Sequence, residues 1–80
     1  MKIKILRQDI TDYLSVHKLD KKWVKAVLLF EMNIRHRSLN VELLEPHWRG
    51  IYSFRIDKKY RALFFIDGDM AEVFQITNHY

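Results

Sequence analysis

Between Ile51 and Thr77 three runs rich in β-branched and aromatic residues are separated by short polar stretches. That pattern predicts an antiparallel meander, with strands over 51–57, 60–66 and 71–77 and a turn at Asp67-Gly68. Everything else in the chain has to be arranged around this sheet.

Side chains alternate across a strand, so composition assigns the faces. Tyr52, Phe54 and Ile56 share one face of the first run, while Ser53 and Arg55 share the other. In the third run Phe74 and Ile76 are expected on the apolar side, with Gln75, Thr77 and His79 opposite. The sheet thus acquires a greasy face and a polar one.

Register decides where Arg61 falls. A two-residue turn at Lys58-Lys59 pairs it with Ile56; a three-residue loop from Asp57 to Lys59 pairs it with Arg55. The second is preferred, because it keeps Arg61 off the greasy face and sets Phe54 beside Ala62. Like charges directly opposite are normally destabilising, so such a pair points to a bound anion.

Upstream, Lys2 to Leu6 alternates polar and apolar residues and reads as a short strand added to the meander. Asp9 is the expected cap of a helix from about 9 to 18, with Ile10, Tyr13, Leu14 and His17 on one stripe. Asp20 is the expected cap of a longer helix over 20–36, with Leu19 and Val24 in staple positions. Trp23, Val27, Phe30 and Ile34 form its stripe, widened by Val24 and Leu28. Lys21, Lys22 and Lys25 read as a solvated face; Arg35, His36 and Arg37 either close the helix where cations suit its dipole or contact RNA. Residues 41–47 lead into the meander as an extended, partly irregular segment, in which Pro46 blocks helix. The expected fold is one α+β domain over 1–80, ordered β-α-α-β-β-β. A helical hairpin packs on one face of a mainly antiparallel four-stranded sheet.

Composition narrows the function. The formal net charge is +4, which favours an acidic or polyanionic partner. No apolar run reaches the roughly 18 residues of a membrane span, and the chain opens without a signal-peptide core, so the cytoplasm is expected. Cysteine is absent, and no two of the four histidines stand four apart on one helix, so no metal or cofactor is expected. Ser15, Ser38 and Ser53 lack a nucleophile-elbow context, and Gly50 and Gly68 make no phosphate loop. What remains is His79 with Arg55 and Arg61 on one sheet face, and the carboxylates Glu42 and Glu45 just before it. Cleavage of RNA at a phosphodiester needs such parts: a base for the 2′-hydroxyl, an acid for the leaving oxygen, and cations for the charge on phosphorus.

Three segments, Gly50-Ile51-Tyr52-Ser53-Phe54-Arg55-Ile56, Lys59-Tyr60-Arg61-Ala62-Leu63-Phe64 and Ile76-Thr77-Asn78-His79, resemble the RelE/ParE superfamily of toxins. The likeness leans toward the branches with RelE, YoeB and YafQ. It covers residues 41–80 by motif and residues 1–40 by order of elements. It implies a RelE-like fold and a metal-free endoribonuclease, an mRNA interferase that cuts translated messages in the ribosomal decoding site. It also implies an acidic antitoxin as partner.

By the same resemblance Arg55 and Arg61 match the arginines that hold the scissile phosphate. His79 matches the C-terminal histidine, and the His79-Tyr80 ending is similar to that of YoeB. Glu42 falls near the acidic or histidine position ahead of the glycine motif, with Glu45 as its competitor. His47-Trp48-Arg49-Gly50 resembles the approach to the first meander strand. Arg49, Lys58, Lys59 and Gln75 are the expected RNA contacts. The chain stops at Tyr80, sooner than many relatives, which sets a terminal carboxylate beside His79 and favours its charged form. Basic residues before the glycine motif are thinner than in many relatives. Two rivals share the fold: a ParE-like gyrase inhibitor, and an inactive RNA-binding module.

Overall fold

A computed structural model describes residues 1–78; His79 and Tyr80 lie outside the described residues. In chain order the elements are β1 (Lys2–Ile3), α1 (Gln8–Val16), α2 (Asp20–Met32), β2 (Glu42–Leu43), β3 (Ile51–Arg55), β4 (Arg61–Asp67) and β5 (Met70–Thr77). Two short 3-10 turns, Arg37–Leu39 and His47–Arg49, flank β2.

The meander is present as β3, β4 and β5, each antiparallel to the next. The sheet has five strands rather than four, in the order β1-β5-β4-β3-β2. The extra strand is the short β2, which extends the sheet by pairing Glu42 with Ser53 and Leu43 with Tyr52. Two residues are too few to show an alternation, so its sequence gives no strand pattern. At the other edge β1 runs parallel to β5, pairing Ile3 with Ala71, and the Lys4 amide donates to the Ala71 carbonyl.

Phe30, Phe54 and Phe64 lie at the centre of the core, fully buried. Phe30 meets Phe54 at 4.9 Å between ring centroids and Phe64 edge-on at 5.3 Å, while Trp23 stacks on Phe54 at 5.7 Å. Ile10, Leu14, Leu19 and Ala26 carry the helical hairpin onto Ala62, Val73 and Ile76 of the sheet. Truncating one of these phenylalanines to alanine costs about 3–5 kcal/mol in a core of this kind.

Four further expectations need correction. Neither helix is capped by an aspartate: the N-cap positions are Arg7 and Leu19. Asp9 instead takes a bidentate ion pair from Arg7, and Asp20 accepts from the Ser15 hydroxyl. The second helix stops at Met32, because Asn33 turns extended and its side chain accepts from the Arg35 amide. Val24 and Leu28 do not widen the buried stripe but stand exposed, as does Met32.

The fourth correction concerns β5. A bulge falls between Leu63 and Phe64, which pair with Gln75 and Val73, so Phe74 is the extra residue. An extra residue shifts the alternation by one. Val73 therefore joins Ile76 in the core, while Phe74 turns to the other face beside Phe65, 6.0 Å between centroids. The Phe74 carbonyl accepts from the Arg7 guanidinium at 3.1 Å.

Candidate functional site

The β3–β4 connection builds the site. Ile56 and Asp57 both donate their amides to the Tyr60 carbonyl, leaving Asp57, Lys58 and Lys59 as the loop. The Asp57 carboxylate accepts from the amides of Lys59 and Tyr60 at 2.8 and 2.7 Å. Its other oxygen takes Lys22 Nζ at 2.9 Å, which ties the loop to α2. Partial burial works against the charge of this carboxyl, but Lys22 and the two amides outweigh it and hold it below its ordinary value. A loop fixed at three residues sets Arg55 opposite Arg61, as the alternation requires.

The two arginines then differ. Arg55 is exposed and makes no hydrogen bond or ion pair among the described residues. Arg61 is only 6% exposed. Its Nε donates to the Ser53 hydroxyl at 3.0 Å, and a terminal nitrogen donates to the carbonyls of Asn40 and Ser53. Asn40 adopts the left-handed conformation, φ 44°, which asparagine tolerates better than most residues. Its side-chain amide donates to Glu42 at 3.1 Å, so a single residue reaches both Arg61 and Glu42. Neither Asn40 nor Asp57 stands out in the sequence as a site residue, since each sits in a connection without periodicity.

Arg55, Arg61, Glu42, Lys58 and Lys59 line one open hollow of about 580 Å³, together with Asn40, Asp57 and Asn78. Lys59 lies over the Tyr60 ring, 5.5 Å from its centroid. The hollow offers cations on its floor and rim with a carboxylate at its edge, a combination suited to a phosphate and a transferable proton. Glu45 is not part of it; it pairs with His47 at 3.0 Å on the surface. Arg49 and Gln75 line a separate groove with Leu63 and Phe74. Trp48 is 85% exposed beside Arg49. Among the described residues, no three His, Asp or Glu side chains converge as metal ligands would.

No family model and no curated protein matches the chain by sequence. Solved structures do match. A YoeB/ParE toxin from Agrobacterium tumefaciens superposes with a TM-score of 0.71 over the full length of both chains, at 19% identity. The chain has the RelE/ParE toxin fold. A chain of the heterotetrameric YoeB–YefM toxin–antitoxin complex from Staphylococcus aureus matches this RelE/ParE fold with a TM-score of 0.63, again over both full lengths, at 25% identity. The hollow thus sits on a RelE/ParE scaffold, and no helix among the described residues is long and apolar enough to cross a membrane.

Proposed function

We propose that the chain is the toxin of a toxin–antitoxin module and an endoribonuclease that cuts translated messenger RNA on the ribosome without a metal. The observation that carries this reading is the hollow in which Arg55, Arg61 and Glu42 meet. The likeness to a toxin solved with its YefM antitoxin supports it.

In this reading the 2′-hydroxyl attacks the neighbouring phosphorus and the bond to the 5′-oxygen breaks. One group takes the hydroxyl proton and another gives a proton to the leaving oxygen. His79 and Glu42 fill these two roles, and Tyr80 is the further catalytic candidate at the chain's end. Arg55, exposed and uncommitted among the described residues, gives bidentate bonds to phosphate oxygens. Arg61, held by Ser53 and Asn40, contributes a fixed positive charge from below. Such preorganised charge needs no rearrangement when charge grows on phosphorus. Lys58 and Lys59 hold the adjoining backbone.

The partner in this reading is an acidic antitoxin with an amphipathic helix. Val24, Leu28 and Met32, exposed along one side of α2, form the apolar stripe on which that helix lies. Induced expression should arrest growth, and primer extension should show breaks inside codons of translated messages. Intact messages with double-strand DNA breaks would move the assignment to a gyrase inhibitor.

A further inference from the structure

On the other side of Arg55 lies a second hollow, of about 500 Å³, between α2 and the β3–β4 loop. Its apolar lining comes from Ala26, Leu29, Leu39 and Ile56. Lys25, Lys58 and Arg55 contribute cations to it. None of these three cations makes a hydrogen bond or ion pair among the described residues, whereas Lys22 is taken by Asp57. The two hollows share Arg55, Asp57 and Lys58, so they form one continuous track across the loop.

We propose that this second hollow is a binding subsite for the nucleotide next to the scissile one in single-stranded RNA. The base enters the apolar hollow, and its phosphate is held by Lys25 and Lys58. The inference rests on the reading of the first hollow as the site of phosphodiester cleavage. Charge decides the occupant: three cations without an intramolecular partner around an apolar floor match an unstacked base with its phosphate. A uniformly apolar partner would leave these charges unanswered. Lys21, Lys22 and Lys25 are all exposed, as a solvated face requires; within that face Lys22 fastens the loop and Lys25 lines the hollow.

The test uses the purified chain and a fluorescent single-stranded oligoribonucleotide carrying one 2′-deoxy sugar at the scissile position. Binding is followed by anisotropy across a salt series. Lys25→Glu should weaken binding about tenfold and reduce the log–log salt slope by about 0.7, the loss of one phosphate contact. An abasic nucleotide next to the 2′-deoxy sugar should weaken binding to the native chain several-fold. It should matter less in Ser38→Glu, which puts a carboxylate into the hollow. Lys25 and Ser38 are both exposed, so unchanged melting curves should confirm that the variants fold.

If Lys25→Glu binds the oligoribonucleotide like the native chain while Arg55→Ala binds it weakly and cuts ordinary ribosome-bound message slowly, the subsite is wrong and the cleavage site stands. If Lys25→Glu spares RNA binding but releases an acidic antitoxin, the hollow belongs to a protein partner and the subsite is overturned. If Arg55→Ala and Lys25→Glu both bind and cut like the native chain, the reading of the first hollow fails along with the second.

Discussion

Arg55 and Arg61 are register partners on adjacent strands, yet the first is exposed and the second is buried. Their removal should therefore have different consequences. Arg55→Ala should slow cleavage of ribosome-bound message with little change in the urea midpoint. Arg61→Ala should slow cleavage and also lower stability by about 1.5–3 kcal/mol, the worth of hydrogen bonds to a charged group. Paired urea titrations and primer-extension time courses separate the two. Equal stability losses would contradict the difference in burial.

Ser53 is fully buried, and its hydroxyl receives Arg61 Nε at 3.0 Å. Ser53→Ala takes an acceptor from a buried guanidinium and should cost about 1.5–3 kcal/mol. The denaturant midpoint should fall with the slope unchanged. A neutral Ser53→Ala would mean that this bond does not hold Arg61.

Glu42 lines the hollow with the arginines, whereas Glu45 pairs with His47 outside it. On the proposed mechanism Glu42→Gln should slow cleavage by about 10²–10⁴-fold, the range for a lost proton-transfer group. Glu45→Gln should cut at the native rate. The reverse ranking would place the acidic group at Glu45.

His79 is assigned to proton transfer by the same mechanism, so His79→Ala should cost about 10²–10⁴-fold in cleavage rate. A message with one 2′-deoxy sugar at the scissile position should resist the native chain. EDTA should leave cleavage of ordinary message unchanged while the ribosomes stay intact. Normal cutting of the deoxy message would rule out 2′-hydroxyl attack.

Asp57 makes a prediction about acid. Its folded pKa lies below the ordinary 3.8, so its contribution to stability is fully present above that value. It is lost as the pH falls through the lower, folded value. Asp57→Asn keeps an oxygen for the two loop amides but loses the ion pair with Lys22. The stability gap between native chain and variant should be constant at neutral pH and narrow below pH 3.8. A gap that widened in acid would show that the carboxylate is not held in its charged form.

Much of this was legible because the polar residues of β3 and the start of β4 fall at every second position. Arg55 opposite Arg61 followed from keeping one charge off the greasy face, and the three-residue loop delivers that pairing. The Phe74 bulge was not legible. Val73 and Phe74 are both apolar, so moving the alternation by one residue leaves no mark in the pattern. The burial of Arg61 was hidden for another reason. Its acceptors include the carbonyls of Asn40 and Ser53 beside the Ser53 hydroxyl, and backbone carbonyls carry no residue signature. Exposure of Val24, Leu28 and Met32 was equally hidden, since helical spacing cannot tell a core face from an uncovered one.

The position of β5 between β1 and β4 has a consequence for synthesis. Of the five strands it is the last to be made, yet it is an inner strand rather than an edge. While the chain grows from its N-terminus, β1 has no neighbour and β4 keeps one edge unpaired. The β4–β5 seam is complete only once Thr77 has left the exit tunnel. Arg61, which faces Thr77 across that last seam, reaches its final surroundings at the same moment. The nascent chain therefore carries its arginines past the ribosome that makes it before the site has been assembled.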